Sequence, residues 1–161
     1  MLLLLIARGL APALAGFFNR MADEITIKSS RGTGELKLSA PKPPGAHYPV
    51  EYLRVSLKDK DITASSAKVY IYEPHSLAAF FAALAVSWKG WKGAKEWASV
   101  EQDFVLSCTA DTLGHVALKV TLKSGLYEDD WCVRAVIHVE AGQLEELAAE
   151  VKAFLHVERA S

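Results

Sequence analysis

Asp111 and His115 bracket the turn TLG, and they are the nearest this sequence comes to an acid–base pair. A carboxylate hydrogen-bonded to an imidazole orients the ring and favours its charged form, which is what proton transfer in a cleft needs. The same two residues also read as a hairpin in which Asp111 caps the turn, Gly114 supplies a positive φ and His115 starts a strand. No nucleophile with a partner base stands nearby in sequence, so no catalytic residue is assigned.

The other chemically loaded stretch is WKGWKGAKEWASVEQDF, residues 88–104, which holds three of the four tryptophans within ten positions. Trp91 and Trp97 beside Lys89, Lys92 and Lys95 suit an anchor for a protein partner, or stacking on single-stranded bases. The competing reading is that these indoles fold over a sheet edge and seal the core. Glu101, Asp103, Glu128, Asp129 and Asp130 are acidic enough to hold magnesium if they converge, but acids in loops more often serve solvation. Neither the five histidines nor Cys108 and Cys132 have zinc-site spacing, so no metal and no cofactor is assigned.

These residues sit in a chain of 161 with a formal net charge of −1, 51% hydrophobic and 23% charged residues. That is the composition of one globular domain, with no overall field for nucleic acid or an anionic membrane. Cys108 and Cys132 fall at opposite strand parity, so both are expected as free thiols in a reducing, cytoplasmic setting. Residues 1–20 have no basic region before their apolar run, and Arg8, Pro12 and Gly16 interrupt it. They read as an extension outside the fold or a weak secretion signal, not a stable membrane span, with a single domain over 21–161.

The elements that must position the candidates follow from periodicity. Alternation predicts strands at 25–29, 35–39, 52–58 and 67–72, with the proline-rich 40–49 as a surface connection. From His75 the period becomes helical: Leu77, Phe80, Phe81, Leu84 and Trp88 form one stripe, Ser76 is a candidate N-cap, and Gly90 or Gly93 a candidate stop. Strands at 104–110, 115–123 and 131–139 then form a meander, and Leu144, Leu147, Val151 and Leu155 mark a closing helix. The expected class is α+β, a mostly antiparallel sheet with both helices on one face. Lys28, Lys37, Arg54, Lys58, Lys68, Tyr70, Tyr72, Lys119, Lys123, Arg134 and His138 would line the opposite face, and Glu145, Glu146 and Glu150 the exposed side of the last helix. Trp88 and Trp131 are expected in the core, and Trp91 exposed in a loop.

The pattern WKGWKGAKEWASVE, then LSCTADTLGHVALKVTL, then Trp131 with VIHVEAGQLEELAAEVKAFL resembles a bacterial family of uncharacterised small proteins related to WapI-type immunity proteins, partners of contact-dependent toxins. The resemblance covers roughly residues 24–155, with Trp88, Trp91, Trp97, Glu101, Asp111, Gly114, His115 and Trp131 as matching positions. It implies a non-enzymatic module that binds and neutralises a toxin domain. Trp91, Lys92, Trp97, Glu101, Asp111 and His115 are then the partner-binding candidates. The second reading is a small-ligand-binding or hydrolytic domain using Asp111 and His115. A convergent pocket favours the latter, and an exposed aromatic patch with a charged rim the former.

Overall fold

Alternating side chains direct the first half of the chain into strands whose inner residues are Leu, Ile and Val. The computed structural model describes residues 23–40 and 50–156, so the readings of 1–20, of the start at Met21 and of the prolines in 41–49 lie outside the described residues. Strands β1 (Glu24–Lys28), β2 (Glu35–Ser39), β3 (Tyr52–Asp59) and β4 (Ile62–Tyr70) form one antiparallel sheet in chain order. Ile25, Ile27, Leu36, Leu38, Leu53, Val55 and Leu57 point inward, as their spacing of two dictates. In β4 the parity changes: Leu53 pairs with Val69 but Val55 with Ser66, so one extra residue bulges out. Ala64 and Val69 are therefore both buried, while Ala67, expected inside, is exposed.

The helix α1 spans Pro74–Val86. Its first residue is a proline, whose fixed φ suits that position, so the N-cap is Glu73 and not Ser76. Ser76 lies inside the first turn and donates its hydroxyl to the Glu73 carbonyl. Leu77, Phe80, Phe81 and Leu84 are buried as the stripe requires, but the helix ends before Trp88. Gly90, at φ +104°, then reverses the chain into a strand that the alternation did not reveal, β5 (Trp91–Ala98).

β5 leads a second antiparallel sheet of four, followed in order by β6 (Phe104–Ala110), β7 (His115–Lys123) and β8 (Cys132–Glu140). A short 3-10 turn, Ala141–Gln143, carries the chain into helix α2 (Leu144–Phe154), and Gln143 returns its side-chain oxygen to the Glu140 amide. The architecture is α+β with antiparallel strands, divided between two sheets. The two helices pack on each other, α1 also against β5 and α2 against β1. One continuous core joins both sheets to both helices, with Phe81, Phe104 and Phe154 wholly enclosed. Each such ring contributes on the order of 1.5–3 kcal/mol of burial. Two backbone bonds tie the sheets together: Ser30 N–H to the His138 carbonyl at 2.7 Å, and Val100 N–H to the Tyr70 carbonyl at 3.1 Å.

Candidate interaction surface

The tryptophans do not divide as their spacing predicts. Trp97 is 9% exposed; it packs edge-on against Phe104 and donates its indole N–H to Ser76 Oγ at 3.0 Å. Trp91, expected in an exposed loop, is half-buried on β5, donates to the Cys108 carbonyl at 3.1 Å and carries Lys95 over its ring. Trp88 and Trp131, expected in the core, are 57% and 41% exposed. The physical reason for Trp88 is that Ser87 caps the helix before the next stripe position. For Trp131 it is that burial fades along the inner side of β8, from Ile137 and Val139 through half-buried Val133 and Ala135 to the strand's open end.

The register of the second sheet separates the sequence candidates. Trp91 pairs with Ala110, so Trp91, Lys92, Asp111 and His115 belong to one end. Glu101, in the β5–β6 turn, belongs to the other end, where Phe104 pairs with Leu122 and Lys123 with Cys132. Trp97 is engaged in the core and offers no partner surface.

At the Trp91 end, Asp111 accepts the amides of Leu113 and His115 on Oδ1 at 2.8 and 2.9 Å, while Oδ2 lies 2.8 Å from His115 Nδ1. The His115 amide above all, helped by the imidazole and the Leu113 amide, holds this carboxyl below its usual range. The pair is thus the cap of a hairpin whose Gly114 sits at φ +86°. It is exposed, and three hollows among the described residues, of about 510, 400 and 200 Å³, are lined by other residues.

The other end is different in kind. Tyr72, Val100, Leu126 and Tyr127 are all more than half exposed, and Trp131, 41% exposed, ends the β7–β8 connection that carries Leu126 and Tyr127. Tyr52 stacks on Tyr70 with centroids 4.9 Å apart, Tyr70 meets Tyr72 edge-on at 6.0 Å, and Lys68 sits over Tyr52. The β7–β8 loop that presents Leu126 and Tyr127 is held from within by Asp130. Its oxygens accept the Ser124 hydroxyl at 3.0 Å and the Tyr127 amide at 2.8 Å, and Ser124 Oγ accepts the Trp131 amide. Asp103, buried in the neighbouring turn, accepts the Ser99 hydroxyl. The five acids considered as magnesium ligands therefore do not converge: among the described residues no group of three or more His, Cys, Asp or Glu is placed to hold a metal ion. Glu101, Glu128 and Asp129 remain exposed around the aromatic residues.

The sequence assigns no role to Leu126, Tyr127 and Val100, and places Tyr72 on the exposed sheet face. For Leu126 and Tyr127 the signal was present in GLYEDD, where both fall between two predicted strands with no period to bury them. Cys108 is buried and Cys132 exposed, both as free thiols, in keeping with their opposite parity. Among the described residues no helix is long and apolar enough to cross a membrane. Comparison with curated proteins and with solved structures finds no match. The model of a family of unknown function, DUF6228, matches residues 27–158, most of the chain, and the chain belongs to that family.

Proposed function

We propose that this domain is a non-enzymatic protein-binding module of immunity type, acting in a reducing compartment, and that it meets a toxin domain with the Trp97 end of its second sheet. The observation that carries the reading is the preorganised aromatic end itself: Leu126, Tyr127 and Trp131 on a loop fixed by Asp130, with Tyr72 and Val100 from the neighbouring connections. Rigid Tyr and Trp side chains supply contact area at little cost in conformational entropy, and they dominate interface energetics. Four strands at their usual spacing make this end about 15 Å wide, enough for the centre of an interface. Glu101, Glu128 and Asp129, with Lys68 and Lys123 at the same end, give it a charged rim of both signs. Against the second reading, Asp111 is occupied by its own turn, and the pair is exposed to solvent.

The test is co-expression of the full chain with the toxin domain encoded beside its gene, scored as survival of the host and as direct binding. Tyr127→Ala and Trp131→Ala should each weaken binding by about 2 kcal/mol or more with melting nearly unchanged. Trp88→Ala and Leu113→Ala, exposed at the opposite end, should not. Loss confined to the Trp88 and Leu113 variants would move the interface to the other end, and protection by none of the proteins would overturn the immunity reading.

A further inference from the structure

Away from both ends of the second sheet, two hairpin tips of the first sheet reach over β8 and enclose a groove of about 510 Å³. Arg31 comes from the β1–β2 loop, Lys60 from the β3–β4 turn, Lys119 from β7, and Arg134 and His138 from the outer side of β8. Lys119 pairs with Val136, so its side chain lies between those of Arg134 and His138 on the same sheet face. The acidic residue in the lining is Asp59, and it already accepts the Thr33 hydroxyl at 2.8 Å. The ion pairs among the described residues are Lys37 with Glu24 and His115 with Asp111, so the four cations of the groove have no carboxylate within 4 Å. Four cations against the one carboxylate of Asp59 leave the lining with an excess of positive charge, and a bound polyanion would relieve that repulsion.

The groove is also built to hold its shape. Thr33 Oγ1 accepts the Lys60 amide at 3.1 Å and so joins the two tips. Ser30 N–H reaches the His138 carbonyl, and His138 N–H reaches Ser29 Oγ at 3.0 Å, fixing the β1–β2 loop on β8. Gly34 lies so close to β8 that an added Cβ would stand 2.8 Å from Ile137 Cδ1 and 3.3 Å from the Val136 carbonyl, so the loop packs tightly on the strand there. Cations from four separate segments are thus set around one concavity before any ligand arrives.

We propose that this groove binds a small organic polyanion carrying two or more phosphate groups. Its volume lies within the range of small-molecule sites. Two guanidinium groups match phosphate oxygens in a bidentate way, and two ammonium groups add point charge. Cations distributed over four segments exceed what a single phosphate can contact, and exposed Val136 gives the organic part of the ligand an apolar surface.

The experiment titrates the full chain with tripolyphosphate, ATP, inorganic phosphate and hexaglutamate at low salt, by calorimetry and thermal melting. Saturable one-to-one binding of tripolyphosphate and ATP is expected, tighter than that of phosphate by at least about tenfold, with a rise in melting temperature. Arg134→Gln and Arg31→Gln, both exposed and free of packing roles, should each weaken it by about tenfold, the worth of one charge-assisted bidentate contact. Lys68→Gln, on the outer face of the first sheet, should leave it unchanged. Absence of saturable binding, equal weakening by Lys68→Gln, or hexaglutamate binding as tightly as tripolyphosphate would each overturn the proposal.

Discussion

Trp97 Nε1 donates to Ser76 Oγ at 3.0 Å, and through that bond the C-terminal end of β5 is fastened to the first turn of α1. Ser76 passes the contact on by donating to the Glu73 carbonyl, so the indole, the hydroxyl and the helix start form one chain of bonds. Trp97→Ala would remove a buried ring and this bond together. A loss of about 3–5 kcal/mol is expected in denaturant unfolding, against less than about 0.5 kcal/mol for exposed Trp88→Ala.

Trp91 is joined to the fold by its bond to the Cys108 carbonyl and by packing against the core. Trp91→Ala should therefore destabilise the domain by about 2–4 kcal/mol, and any loss of partner binding should track the unfolded fraction. Unfolding and partner capture measured on the same preparations check this.

The two thiols should differ sharply in reactivity. Burial pushes the Cys108 thiol up to about 12, so it stays protonated at neutral pH, whereas Cys132 is exposed. Alkylation of the folded protein at neutral pH, read by mass spectrometry, should label Cys132 alone, and denaturant should be required to label Cys108.

Asp111 has a folded pKa below its unfolded value, chiefly because the His115 amide favours the carboxylate. Its contribution is therefore present above the unfolded carboxylate range and is lost as pH falls through the folded value. Melting temperature followed below about pH 4 should drop less steeply for Asp111→Asn than for the natural chain.

Gly90 holds φ +104°, and an added Cβ would stand 2.8 Å from the Asp111 carbonyl oxygen. Gly90→Ala should cost more than about 1 kcal/mol, since both the backbone and the neighbouring turn resist it. Gly93, at φ +77° but with open space around it, should show the strain alone and a smaller shift in melting.

Among the described residues, six strands and both helices were legible because their inner residues recur at two or at three to four, and β4 only in part, since a bulge leaves the expected inner residue Ala67 exposed and buries Ala64. Leu36, Leu38, Val116, Leu118, Val120 and Leu122 are buried where alternation puts them. The turn at Asp111 was legible too, because Asp and Gly at fixed offsets are the turn's own chemistry. β5 was not: its pairing shifts between Trp91 and Lys95 around Gly93, and a bulge erases the period on which a strand is recognised. The roles of the tryptophans depended on that strand. Whether an indole is core or surface follows from where a helix stops and where a sheet runs out of cover, and neither distance is written in local spacing. The same holds for the candidate surfaces. Each residue's type is fixed by sequence, but Arg31 and Arg134 line one groove only because antiparallel register and the joining of two sheets bring distant segments together.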